Sequence, residues 1–241
     1  MDFPEDSIQS ILDPTSSWWE KTESKSITRG FLIKTFLPHV DQIPFTIIPK
    51  GRKEPRIHDK AYVQIRELDI KHPRTGADLP VAAMTLNQNE IWTAYRAKKR
   101  PCLVIGKSRN RIDQAARRGM PKRSTAQTLL VVPYYGADQD GTRAGYNPQI
   151  VDLIKHIAYP QFYLDMLPIG GPKESIGRFD QIQPLGNMHN TYETTGYKLS
   201  DEALSIVDEL FQHYLHGLVN MDGDLYFFLE LIKEMYYSQS S

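Results

Sequence analysis

Short apolar runs separated by turn-forming segments dominate the first half of the chain. Their lengths and their β-branched and aromatic content predict strands, and the candidates are Phe31–Leu37, Phe45–Ile48, Tyr62–Leu68, Leu79–Leu86, Ile91–Tyr95, Cys102–Ile105 and Thr128–Tyr135. The last two runs are almost entirely apolar, so we expect them at the centre of a sheet. Several short strands with turns between them favour a barrel or a sandwich over alternating βαβ units.

Helical patterns come late in the chain. Asn147 followed by Pro148 predicts the start of a short helix that ends near Ala158. Ser200 is a natural N-cap for a second helix, whose apolar residues recur at steps of three and four. A third amphipathic helix is predicted between Leu225 and Tyr236. We therefore expect a mainly β fold with C-terminal helices.

The composition is that of a globular protein, with 241 residues of which 40% are hydrophobic and 24% charged. Cys102 is the only cysteine, so an intrachain disulfide and a cysteine-based metal cluster are excluded. No apolar run reaches the roughly 20 residues of a membrane helix, and the acidic start lacks the features of a signal peptide. These observations predict a cytoplasmic protein with no membrane contact.

The net charge of zero hides a strong segregation of charge. The stretch from Arg96 to Arg123 contains eleven basic residues and a single acid, Asp113. From Leu199 to the end there are eight acids and one base, Lys233. Such a distribution indicates a polyanionic partner, an internal pairing of the two sectors, or both.

Motifs for metal and cofactor chemistry are missing from the sequence. The seven histidines have no metal-binding spacing, and no P-loop, dinucleotide fingerprint or nucleophile elbow occurs. We therefore expect no metal site and no cofactor.

A basic residue precedes the first central strand. Arg100 lies directly before Pro101 and the buried run Cys102–Ile105. A guanidinium held at a rigid strand end can bind a phosphate through two hydrogen bonds and stabilise charge that develops on it.

Three segments, taken in order, resemble the PemK/MazF family of toxin endoribonucleases. Glu90–Trp92 matches the family's "G-E-I-W" start, Arg100–Ile105 its "R-P-x-L-V-I" strand, and Val131–Gly136 its "V-V-P-I-T-S" strand. Phe179–Ile182 is similar to the family's "D-Q-I-R" strand, and Leu199–Glu202 to the opening of its C-terminal helix.

The resemblance implies an SH3-like barrel, usually dimeric, that cuts single-stranded RNA without a metal by attack of the 2′-hydroxyl on the adjacent phosphate. It implies catalytic roles for Arg100 and for Tyr135, which occupies the position of the family's threonine. It also implies an acidic antitoxin-like protein as a partner. The corresponding division is a weakly ordered segment 1–26, a β extension 27–86 and a barrel with a helical insertion and two C-terminal helices at 87–241.

Basic and aromatic residues around the matched strands are the candidates for RNA contact. One of the adjacent residues Tyr134 and Tyr135 should face the core, because neighbouring strand residues point to opposite sides, and the other could stack on a base. The predicted RNA-binding set is Trp92, Tyr95, Arg96, Lys98, Lys99, Lys107, Arg109, Arg111, Arg117, Arg118, Lys122, Arg123 and Tyr134.

Two other functions remain open from the sequence. The tyrosine at the threonine position favours a non-catalytic SH3-like module that binds nucleic acid or a protein partner. A structural or assembly role, in which the basic and acidic sectors pair between subunits, is the third possibility.

Overall fold

The computed structural model describes residues 3–4, 6–11, 17–52, 54, 56–57, 60–72, 84–87, 89–108, 112–120, 125–138, 145–170, 174–188 and 190–238. The chain divides into two compact units. The first consists of residues 1–36 and 99–241, and the second of residues 37–98. The boundaries that we placed after residues 26 and 86 remain predictions.

The first unit is built on a curled antiparallel sheet that forms a half-barrel. In the part of the chain that the structure describes, its strands are β1 (Trp19–Lys21), β2 (Phe31–Pro38), β6 (Ala97–Lys107), β7 (Thr128–Gly136), β8 (Phe162–Met166), β9 (Glu174–Arg178), β10 (Gln183–Gly186) and β11 (Glu193–Leu199). Their order is β1-β11-β2-β6-β7-β9-β8, and β10 also pairs with β7. The ends of β2 and β6 extend into residues 37–38 and 97–98 of the second unit.

Strands β6 and β7 lie in the middle of this sheet, as their apolar runs predicted. Their register pairs Cys102 with Pro133 and Leu103 with Val132, and these strand centres are buried. After Pro133, the other edge of β7 pairs with β9. In this register Tyr134 lies opposite Gly177 and Tyr135 lies opposite Ile176. The strand thus connects the two halves of the sheet.

The three predicted helices are confirmed, with α1 at Pro148–Lys155, α2 at Asp201–His216 and α3 at Asp224–Ser238. The Asn147 side chain accepts a hydrogen bond from the backbone N–H of Gln149 and caps α1. Ser200 caps α2 in the same way, through the N–H of Ala203. Helices α2 and α3 pack on the core of the sheet, so the mainly β fold with C-terminal helices is confirmed.

A hydrogen-bonded chain of buried side chains crosses this core. Asp165 on β8, which is fully buried, accepts hydrogen bonds from Trp19 Nε1 at 3.0 Å and from the Tyr134 hydroxyl at 2.7 Å. The Tyr163 hydroxyl in turn donates to the Tyr134 hydroxyl at 2.7 Å. Gly177 makes room for this chain, because a Cβ there would lie 2.1 Å from the Tyr163 ring. The network ties three strands of the first unit together.

The second unit contains a three-stranded antiparallel sheet in the order β4-β3-β5, formed by β3 (Phe45–Gly51), β4 (Tyr62–Glu67) and β5 (Trp92–Ala94). These strands confirm three of the predicted runs. The predicted strand Leu79–Leu86 falls mostly outside the described residues, and its last three residues, 84–86, are not in a strand.

Five strands escaped prediction, namely β1 and β8 to β11. They are three to seven residues long, β8 and β9 carry the buried polar residues Asp165 and Ser175, and β9, β10 and β11 contain glycine. The expected strand at Phe179–Ile182 is wrong, since Phe179–Gln181 is a 3-10 helix that turns the chain between β9 and β10. None of the helices that the structure describes is long and apolar enough to cross a membrane.

Candidate functional site

The two residues predicted to be catalytic are in contact. Continuing the β6–β7 register by two residues places Arg100 beside Tyr135. The Arg100 guanidinium carbon lies 3.8 Å from the centroid of the Tyr135 ring, a cation–π distance. Tyr135 faces away from the buried Tyr134 because the two are neighbours on one strand. Both side chains of the pair are partly exposed.

A second arginine, which sequence reasoning missed, joins this pair. Strand β9 lies beside β7 and ends at Arg178, whose guanidinium carbon is 5.2 Å from the Tyr135 centroid. It is also 5.2 Å from the Phe162 ring on β8. The charged residues on either side of Phe179 were the only sequence feature that pointed to a site here. The β7–β9 pairing that brings them to Tyr135 cannot be predicted from the sequence.

Arg178 is held in place by an acid two residues along. Its Nε and Nη2 donate to the two carboxylate oxygens of Asp180, at 3.0 and 2.5 Å. These hydrogen bonds raise the pKa of Arg178 above its ordinary value. In contrast, Arg100 has no ion-pair partner among the described residues. The cluster Arg100–Tyr135–Arg178–Asp180 therefore carries one uncompensated positive charge at a rigid position.

Such a cluster is suited to an anion. Two guanidinium groups close to one ring repel each other, and a bound phosphate would relieve this repulsion while accepting hydrogen bonds from both. Asp180 adds a carboxylate that can accept a proton. The arrangement can bind a phosphodiester and move one proton beside it.

Tyr134 is a correction to the predicted RNA-binding set. It is 2% exposed, and its hydroxyl donates to Asp165 in the core. Burial raises the pKa of this hydroxyl well above its ordinary value. A nucleobase cannot reach this ring, so Tyr134 has a structural role in the core. Tyr135 is the member of the pair that lies at the surface.

Two of the predicted basic residues have partners within the first unit. Lys99 Nζ is 2.5 Å from Glu193 on β11, and Lys107 Nζ donates to the Ile27 carbonyl oxygen at 2.7 Å. Arg117 and Arg118 lie in a run of turns and line a cavity of about 660 Å³. The Nε atom of Arg117 is buried there without a hydrogen-bond partner, whereas Arg118 is exposed.

The other predicted residues fall into two groups. Trp92, Tyr95, Arg96 and Lys98 belong to the second unit, where Trp92 and Tyr95 are 40% and 46% exposed. Arg109, Arg111, Lys122 and Arg123 lie outside the described residues.

One group of potential metal ligands occurs among the described residues. Asp6, Asp152 and His156 offer ligand atoms within 4.8 Å of one another. Lys155 already lies between the acids, with Nζ 2.7 Å from Asp6 and 2.9 Å from Asp152. A metal ion would have to displace this ammonium, and the group serves instead to fasten the N-terminal segment to α1.

Comparison with known proteins adds no assignment to this geometry. No protein-family model matches the chain, and the search of curated proteins found no match.

Proposed function

We propose that this protein binds single-stranded RNA and cleaves it at the cluster Arg100–Tyr135–Arg178–Asp180. The observation that carries the proposal is the meeting of Arg100 and Arg178 at the Tyr135 ring, at 3.8 and 5.2 Å from its centroid. The three residues come from three adjacent strands, and strand ends hold side chains more rigidly than loops do. Preorganised donors of this kind stabilise the charge that develops on a phosphate.

The reaction needs only groups that the cluster and the substrate supply. Asp180 accepts the proton of the RNA 2′-hydroxyl, whose oxygen forms a bond to phosphorus as the bond from phosphorus to the 5′ oxygen breaks. The two guanidinium groups hold the non-bridging oxygens of the intermediate. Tyr135 gives its proton to the departing 5′ oxygen. The products are a 2′,3′-cyclic phosphate and a 5′-hydroxyl.

The proposal includes the finer features that the family resemblance implies. These are an SH3-like barrel of the PemK/MazF type, a homodimer, a cytoplasmic location where RNA is present, and an acidic protein that covers the cluster. The charge of the cluster supports the last feature, since an acidic segment would compete with phosphate for Arg100.

The test is cleavage of a long unstructured RNA by the purified protein in the presence of a chelator. Arg100→Ala should lower the cleavage rate by about 10²–10³-fold, because a preorganised donor at the reacting phosphate is lost. Arg100→Lys should restore little, since an ammonium lacks the planar fork. Arg66→Ala, an arginine of the second unit that donates to the His72 carbonyl oxygen, is the control.

The outcomes separate the possibilities. Cyclic phosphate ends that vanish in the Arg100 variants support the proposal. A wild-type protein that never cuts RNA, or Arg100 variants with full activity, would reject catalysis at this cluster.

A non-catalytic binding module is the second candidate, and one observation favours it. The Tyr135 ring stands at the position of the family's threonine and packs directly against the Arg100 guanidinium, where a short hydroxyl side chain would leave that face open. In that case the wild-type protein binds RNA without cutting it, and Arg100→Ala weakens binding. Gain of cleavage in Tyr135→Thr would then identify an RNA-binding protein derived from a nuclease.

A further inference from the structure

A cavity of about 530 Å³ lies on the same face of the sheet as the arginine cluster, within the first unit. Glu174 at the start of β9 lines it, and Arg178 at the other end of that strand belongs to the cluster. Residues four apart on a strand point to the same side. The buried Ile176, packed with Ile154 of α1, lies between them. Along β9 about 13 Å of strand separates Glu174 from Arg178, so the two side chains lie at different ends of this face.

The walls of the cavity combine apolar surface with an aromatic ring. Val151 of α1 and Leu164 of β8 provide aliphatic contacts. Tyr146 adds a ring that packs edge-on against Phe162 at 6.4 Å between centroids. The volume lies in the usual range for small-molecule sites, and this apolar surface lies beside four charged lining residues.

The polar groups of the cavity are mostly acceptors. Asp138, Asp152 and Glu174 line it, with Lys155 as the single base. Lys155 is committed to Asp152 and Asp6 through ion pairs. The Glu174 backbone carbonyl accepts a hydrogen bond from Ala137 N–H, whereas its side-chain carboxylate has no hydrogen-bond or ion-pair partner among the described residues. The cavity thus repels phosphate and offers carboxylate oxygens to a ligand that carries N–H donors.

We propose that this cavity binds a guanine base of the RNA, with the Glu174 carboxylate accepting hydrogen bonds from guanine N1–H and from its 2-amino group. This inference rests on the proposed function. Among the four bases, guanine alone presents two adjacent donors on its pairing edge, and a carboxylate accepts two parallel hydrogen bonds from such a pair. Adenine and cytosine place an acceptor beside their amino group, and uracil has acceptors on both sides of its N–H, so each meets repulsion from the carboxylate.

The experiment measures binding of free nucleosides to the full chain by calorimetry. Guanosine should bind at least about tenfold more tightly than inosine, which lacks the 2-amino group, since a hydrogen bond to a charged group is lost. Glu174→Gln should bring this ratio close to one. Glu230→Gln, a glutamate of α3 that pairs with Lys233 outside the cavity, should leave it unchanged.

The outcomes are distinct from those of the cleavage test, because a nucleoside has no phosphate for Arg100. Discrimination against inosine that depends on Glu174 supports the guanine site even if the protein never cuts RNA. Equal affinities in the wild type, no binding, or discrimination that survives Glu174→Gln overturns it. A guanidinium has the same paired donors, so tighter binding of N-acetylarginine amide than of guanosine also overturns it, in favour of a peptide ligand.

Discussion

At the scale of single residues, two adjacent tyrosines serve opposite sides of one strand. Tyr134 is buried in the hydrogen-bonded chain with Asp165 and Tyr163. Tyr135 packs on Arg100 at the surface. The two residues allow a matched comparison. Removing the hydroxyl of Tyr134 tests its role in the fold, and removing that of Tyr135 tests its role in the candidate site.

Tyr135→Phe should reduce RNA cleavage strongly, by about 10²-fold, if the hydroxyl protonates the leaving oxygen. Its free energy of unfolding should stay close to that of the wild type. Tyr134→Phe should instead lower the free energy of unfolding by about 1–3 kcal/mol, because a buried donor to Asp165 is lost, and the folded fraction should keep its activity. Denaturant unfolding and initial rates of cleavage measure the two effects, and the reverse pattern would contradict the assignment of the two rings.

At the scale of elements, the apolar pattern was enough for strands whose apolar residues form a clear run, whereas β8 and β9 were missed although their three central residues are buried. The runs Cys102–Ile105 and Thr128–Tyr135 became the centres of β6 and β7, and capping residues located α1 and α2. The short strands β8 to β11 carry glycine or polar residues and depend on neighbours that are distant in sequence. For this reason the sequence was enough to select Arg100 and Tyr135 as site residues, whereas the place of Arg178 beside them could not be predicted.

The network that joins β1, β7 and β8 should make the stability depend on pH. Burial raises the pKa of Asp165 from the ordinary 3.8 to about 6, so the folded state binds a proton that the unfolded state releases. This contribution is complete below about pH 4 and is lost as the pH rises through 6, a change of about 3 kcal/mol. The Asp165→Asn variant cannot titrate at this position. The free energy of unfolding of the wild type, minus that of the variant, should therefore fall by that amount as the pH rises. Parallel curves would show that Asp165 does not titrate in this range.

At the scale of the whole molecule, the separation of charge is the dominant feature. Among the described residues no ion pair connects the basic stretch with α2 or α3, and Asp208 of α2 pairs with Arg29 instead. The acids of the C-terminal helices therefore do not neutralise the described basic stretch in this conformation. Lys99 pairs with Glu193, and the remaining described charge of the stretch is available to a polyanion.

Binding of single-stranded RNA should weaken strongly with salt. With about five phosphate contacts, the logarithm of the binding constant should fall with the logarithm of salt concentration at a slope near −3.5, roughly −0.7 per contact. Changing Arg117 and Arg118 to glutamine should flatten the slope by about 1.4 units, since two contacts at roughly 0.7 each are lost. The same change at Lys21 and Lys25, exposed residues outside the basic stretch, should leave it unaltered. An unchanged slope in the arginine variant would place RNA elsewhere.

The burial of Cys102 has a practical consequence. It is the only thiol in the chain, it lies two residues from Arg100 on β6, and it is fully buried with a raised pKa. A thiol-specific reagent can reach it only when β6 leaves the sheet, so the labelling rate under native conditions reports how often that strand opens. A ligand held at Arg100 in the closed state should slow labelling in proportion to its occupancy. The labelling rate of Cys102 thus reports ligand binding at the strand that carries the proposed site, without any dye or engineered residue.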